Sequence, residues 1–159
     1  MKRLTRRTVL AAAPAALAFG GSIWAARSAR AAKQYGPGVT DTEIKIGNCA
    51  PYSGPASSYS TIWKCEAKYY EMVNAEGGIN GRKINFISYD DAYTPPKSVE
   101  MTRKLVEQDQ VFVIANSAGT PTNTAVWKYL NDHKVPQLLV GTGATKWDDP
   151  KGHPWTIGF

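Results

Sequence analysis

Short apolar runs alternate strictly with amphipathic runs from residue 44 onward, and that alternation leaves few folds open. Residues 44–50 (IKIGNCA), 83–89 (KINFISY), 111–115 (VFVIA) and 137–140 (QLLV) are short and rich in β-branched residues. They read as buried strands, too short for helices. Between the first two, residues 59–76 place Ile62, Cys65, Tyr69, Met72 and Val73 on one helical face. Val99, Thr102, Leu105 and Val106 mark a second helix, and Ala125, Val126, Tyr129 and Leu130 a third. Gly77-Gly78 stops the first helix, and Asn80-Gly81 is a tight-turn dipeptide. Residues 155–159 begin a fifth strand pattern. The order β-α-β-α-β-α-β(-β) predicts an α/β fold, a doubly wound parallel sheet with helices on both faces.

In such sheets ligands sit outside the carboxyl ends of the strands, where the strand order reverses. Three loops in those positions are built from small hydroxyl and glycine residues: PYSGPASSY after the first strand, NSAGTPTN after the third and GTGATK after the fourth. Small residues leave room for a ligand, while hydroxyls and backbone N–H groups orient it. Tyr59 supplies an aromatic wall. The chain is organised around the middle loop, residues 111–123. Its strand ends in Asn116-Ser117-Ala118-Gly119, then Thr120-Pro121 opens a helix, with Thr120 suited to the N-cap and Pro121 to the first helical position. Exposed N–H groups and the helix dipole favour an anion there. An ordinary well-capped turn is the alternative.

Composition misleads until it is divided. The formal charge of +6 points toward nucleic acid or anionic membrane. Residues 1–31, however, hold six of the 19 cations (Lys2, Arg3, Arg6, Arg7, Arg27, Arg30) and no acid, leaving 13 Lys and Arg against 13 Asp and Glu. The remainder is neutral, which argues against a nucleic-acid partner. The leader has a cationic start, an apolar middle and Ala29-Arg30-Ala31 as an A-x-A cleavage pattern. Its Thr5-Arg6-Arg7-Thr8-Val9-Leu10 segment resembles a twin-arginine export signal ahead of a weakly apolar core. The organisation expected is a signal peptide over 1–31, a polar Gly/Pro linker over 32–43 and one ligand-binding domain over 44–159. Cys49 and Cys65 can bridge in an oxidising compartment or stay as two buried thiols.

Catalytic signatures are missing. No GxGxxG follows the first strand, and GxxxxGK[ST] and GxSxG do not occur. Ser117 has no neighbouring His or acid to activate it. His133 and His153 lack ligand spacing and read as surface residues, Asp90-Asp91 reads as a solvated turn or cap, and Trp127 and Trp147 read as packing or rim residues. No enzyme, cofactor or metal is expected.

Several segments together resemble a known family. They are 44–59 (IKIGNCAPYSGPASSY), 74–82 (NAEGGINGR), 89–96 (YDDAYTPP), 117–123 (SAGTPTN), 129–136 (YLNDHKVP) and 141–154. In this order they are similar to the periplasmic substrate-binding proteins of ABC importers, of the leucine/isoleucine/valine-binding type. The resemblance implies a two-lobed receptor of which this chain carries the N-terminal lobe, incomplete and truncated at residue 159. It implies a branched-chain amino acid or similar small carboxylate or amide as ligand, an ABC permease as membrane partner, a periplasmic location and no catalysis. Carried over by position, the ligand-binding residues are Tyr59, Ser117, Ala118, Gly119, Thr120, Gly143 and Thr145. The family often has a serine hydroxyl near position 119, where this chain offers a glycine N–H with Ser117 and Thr120 on either side. A secreted sensor module that presents a small molecule to a membrane receptor is the alternative use of the same fold.

Export is expected to require Arg6 and Arg7 as a pair. Replacing both with Lys keeps the charge but removes the arginine pair, so processing and periplasmic accumulation should fall sharply in a fractionation assay. Unchanged accumulation would rule out the twin-arginine route.

Overall fold

A computed structural model of the chain describes residues 34–159, so the leader read at 1–31 lies outside the described residues. Five strands, β1 Glu43–Ala50, β2 Lys83–Asp90, β3 Val113–Ala115, β4 Gln137–Val140 and β5 Thr156–Gly158, form one parallel sheet in the order β2-β1-β3-β4-β5. Three helices connect them: α1 Ser60–Ala75, α2 Pro95–Arg103 and α3 Thr120–Asp132. The alternation in the sequence is therefore realised, and its fifth strand forms, with a register shift against β4. From β1 the chain steps to β2 on one side, then crosses back to β3 and continues outward. The strand order thus reverses between β1 and β3, and the crevice at their carboxyl ends is where such a sheet takes ligands.

The main core lies on the sheet face covered by α2 and α3. Cys49, Leu105, Val111, Ile114, Val126 and Leu130 are all buried there, with Val99, Val106 and Tyr129 packed against them. On the opposite face Trp63 of α1 packs with Ala50 and Ala118. Buried amides fill part of the interior because they find partners there. Asn123 Nδ2 donates to the carbonyls of Ser117 (2.9 Å) and Gly119 (2.7 Å), and its Oδ1 accepts from Gln137 Nε2 at 2.8 Å. Asn131 Nδ2 extends this tie to Thr156 of β5.

Two helical faces differ from expectation. In α1, Ile62, Tyr69 and Met72 are 50–58% exposed and Cys65 is exposed, while Trp63 is buried and Tyr70 and Asn74 are half-buried. Two apolar stripes one residue out of phase share this helix, and period alone cannot choose between them. Hydrogen bonds choose. Trp63 Nε1 donates to Asn116 O at 2.6 Å, and Asn74 exchanges two bonds of 2.7 Å with the backbone of Ile84. Tyr70 then packs with its ring tilted 57° against Phe86, centroids 5.2 Å apart. In α3 the buried side chains are Thr122, Asn123, Val126 and Leu130, and Ala125 faces outward. The third strand is also shorter than residues 111–115; Phe112 N–H still bonds Lys45 O at 3.0 Å, but regular pairing starts at Val113.

Local turns follow their residues. Ile79 and Arg82 exchange backbone bonds of 2.8 and 3.0 Å around Asn80 and Gly81, both at positive φ (+50° and +79°). This is the left-handed pair that Asn-Gly favours. Residues 34–42 are irregular, and they fold back on β1 through Lys45 N–H to Gly38 O at 2.7 Å. His153 is not a plain surface residue: it stacks on Trp127 at 3.5 Å and pairs with Asp149 at 2.9 Å. Trp147 packs edge-on against the same Trp127 and is buried.

Cys49 and Cys65 are not bridged, and only Cys49 is buried. Burial pushes the Cys49 thiol up to about 12, against the hydrogen bond it shares with Thr102. A buried thiol held in its neutral form is inert, because the thiolate is the nucleophile. The folded chain should therefore titrate one thiol (Cys65) with a disulfide-exchange reagent and expose the second only in denaturant. Two fast-reacting thiols would contradict this packing.

Candidate functional site

Each of the three loops is held by a different device, and together they form a cleft of about 870 Å³ at the crevice between β1 and β3. The loop after β1 contributes Pro51, Pro55, Ala56 and Tyr59, continued by Ile62 and Trp63 of α1. Its position is fixed from β2. Asp90 accepts the Ser53 N–H at 3.0 Å and the Ser53 hydroxyl at 2.6 Å, with Lys97 at 3.0 Å on its other side. Partial burial raises the Asp90 carboxyl, but these bonds and the Ala92 N–H outweigh it and hold the group well below the usual carboxylate range.

The loop after β3 contributes Asn116, Ala118 and Gly119, and the loop after β4 contributes Gly141, Thr142 and Gly143. These two are laced together. Gly119 N–H donates to Gly141 O at 3.0 Å, Gly141 N–H to Ser117 O at 2.9 Å, and Ala118 N–H to Cys49 O at 3.2 Å. The N–H groups ahead of α3 are thus used by the scaffold. Thr120 is the first helical residue and not the cap; Gly119 holds the cap position at φ +86°, ψ +150°, with no side-chain cap bond. The N–H groups of Thr120 and Thr122 meet no acceptor among the described residues.

Of the residues singled out from sequence, Tyr59, Ala118, Gly119 and Gly143 line the cleft. Ser117, Thr120 and Thr145 do not. Ser117 is buried with its oxygen accepting the Cys49 N–H at 3.1 Å, and the Thr120 hydroxyl bonds that of Thr142. Thr145 opens a short 3-10 turn and lines a smaller hollow of about 340 Å³ beside Trp147. Sequence reasoning passed over Trp63, Asn116, Thr142 and Tyr93. The Tyr93 signal lay in Asp90-Asp91, which forms a turn as expected but not a solvated one at Asp91, and whose carboxylates accept the N–H groups of Ala92 (3.0 Å) and Tyr93 (2.9 Å). Asp91 is itself buried, which raises its carboxyl pKa against the hydrogen bonds from Ser98 and Tyr93. Among the described residues, no charged side chain lines the cleft and no group of three metal-ligating residues occurs.

The lobe is an open parallel sheet with a largely apolar cleft at its switch point. A family model described as periplasmic binding protein matches residues 43–159. The chain belongs to that family, in its type I form. Its relatives include the leucine-, isoleucine-, valine-, threonine- and alanine-binding protein of Pseudomonas aeruginosa, 32% identical over 103 residues, 64% of this chain and 27% of that protein. A possible leucine/isoleucine/valine-binding protein from Rhodopirellula baltica superposes with a TM-score of 0.67 at 20% identity, over 75% of this chain and 32% of that one. A solute-binding protein of an ABC transporter from Rhodopseudomonas palustris, solved with 3,4-dihydroxybenzoic acid, gives 0.55 at 29% identity, over 62% and 27%. The chain therefore spans under a third of the length of each of these relatives.

Gly119 is the residue of this site least open to replacement. Its dihedral angles lie in a region that only glycine occupies readily, and a Cβ there would come within 2.7 Å of the Tyr93 ring and hydroxyl. Gly119→Ala should cost about 1–3 kcal/mol from backbone strain alone, read as a lower urea midpoint at unchanged slope. An unchanged midpoint would mean that the turn relaxes freely.

Proposed function

We propose that this chain supplies the first ligand-binding lobe of an extracytoplasmic solute receptor serving an ABC importer. The lobe holds a small carboxylate or amide, with branched-chain amino acids and aromatic acids as the leading classes, and does no chemistry on it. The observation that carries this reading is the cleft itself, which lies at the switch point, is lined by small, apolar and aromatic residues, and has no charged side chain in its described wall. The relatives' ligands support the class of solute, since one is named for leucine, isoleucine, valine, threonine and alanine and another holds a dihydroxybenzoate.

Receptors of this kind work by closing two lobes on the ligand, and a membrane partner recognises the closed state. A permease is the partner this reading requires, and export to the periplasm is the location. No helix among the described residues is long and apolar enough to cross a membrane.

Binding sites normally cover about 70–90% of a small ligand, and one lobe presents one wall. The chain by itself should show no saturable binding at micromolar leucine, isoleucine, benzoate or 3,4-dihydroxybenzoate. At millimolar ligand, amide shifts in a two-dimensional NMR titration should be confined to Gly119, Thr120, Gly143 and the neighbourhood of Tyr59. Shifts centred elsewhere would move the site, and micromolar affinity would make this one lobe a sufficient receptor.

A further inference from the structure

Tyr93 lies in the cleft, although its loop belongs to β2, on the far side of β1 from α3. Two consecutive non-glycine residues, Ala92 (φ +50°) and Tyr93 (φ +59°), take the left-handed conformation there. That conformation is uncommon for side-chain-bearing residues and persists only where its surroundings fix it. Here they do: Asp90 and Asp91 accept the two N–H groups, and Asp91 is held in turn by the Ser98 hydroxyl at 2.7 Å. The turn delivers the Tyr93 ring to the start of α3, where Cζ and Oη both lie 2.7 Å from the place a Gly119 side chain would occupy. Glycine at 119 thus admits the tyrosine, and the tyrosine fills the space that a serine there would use.

The Ser117, Thr120 and Thr142 hydroxyls of the loops after β3 and β4 already have partners within the fold. Ser117 accepts from the Cys49 N–H, and Thr120 and Thr142 bond each other. The Tyr93 hydroxyl makes no hydrogen bond among the described residues. The Tyr59 hydroxyl is also unbonded among them, but that side chain stands 62% exposed at the rim. We propose that Tyr93 is a specificity-determining residue of the cleft: its hydroxyl donates to the carboxylate of the ligand in place of a side chain at position 119. This rests on the reading of the cleft as a carboxylate-binding wall. The rings of Tyr59, Trp63 and Tyr93 line the same space, and flat apolar faces beside one hydroxyl donor suit an aromatic ring carrying a carboxylate. The ligand class is therefore an aromatic monocarboxylate ahead of a zwitterionic amino acid.

The test uses this chain and its Tyr93→Phe variant, titrated by NMR with sodium benzoate and with leucine. Because the hydroxyl bonds nothing in the described fold, Phe keeps the ring packing, and an unchanged circular dichroism melt should accompany it. Benzoate should shift the Gly119 and Thr120 amides of the parent chain more strongly than leucine does, and Tyr93→Phe should weaken benzoate about tenfold, as loss of a hydrogen bond to a charged group would. Equal benzoate affinity in the two chains would overturn the role of Tyr93 while leaving the cleft as the site. Leucine binding as tight as benzoate and indifferent to Tyr93→Phe would overturn the ligand class. No shift in the cleft up to the solubility limit of sodium benzoate would overturn the carboxylate-binding reading itself, and this proposal with it.

Discussion

The carbonyl of Asn116 ties the lobe together at the point where its strand order reverses. It accepts Asn48 Nδ2 of β1 at 2.9 Å and Trp63 Nε1 of α1 at 2.6 Å, while the Asn116 side chain reaches Glu66 at 3.0 Å. Asn48 is fully buried, gives its second N–H to Ala115 O and accepts from Ser88 of β2. One cluster of amides therefore joins β1, β2, β3 and α1 just below the cleft. A made hydrogen bond contributes only about 0.5–1.5 kcal/mol net, but a buried group left without one costs about 1–3 kcal/mol. The larger value of this cluster is that alternative registers would strand several such groups at once, so it fixes one arrangement.

That arrangement explains why the cleft can be largely apolar and still keep a fixed shape. The loops after β3 and β4 bond each other through backbone groups, and the loop after β1 is pinned by Asp90. With the scaffold using its own polar groups, the wall left facing solvent is mostly proline, alanine, glycine, Ile62 and aromatic rings, with Asn116 and Thr142 as its polar side chains besides the tyrosine hydroxyls. Few polar atoms remain for a ligand, and a preorganised wall loses little freedom when it binds. The Asp90-Asp91 turn adds to this by holding two left-handed residues rigidly enough to aim one side chain.

Membership of the periplasmic binding protein family places the lobe in a wider design. Relatives that share the fold carry much more chain than this one does.

The sequence by itself determined the class of fold and the level of the sheet at which the cleft opens. Strand and helix periods differ, so the alternation was readable, and strand ends rich in Gly, Ser and Thr marked the rim where Tyr59, Ala118, Gly119 and Gly143 stand. The Asn80-Gly81 turn was equally legible, because its chemistry is local. Tertiary structure decided what period cannot. It rotated α1 by one residue, since Trp63 and Asn74 found partners on β3's loop and β2 while Ile62 and Met72 did not. It turned Ser117 and Thr120 into scaffold and gave the cap position to Gly119. It also brought Tyr93 across β1 to position 119, a pairing of residues 26 apart that no local pattern encodes. Hydrogen-bond partners and close approach are properties of the packed sheet, and they exist only once distant segments have met.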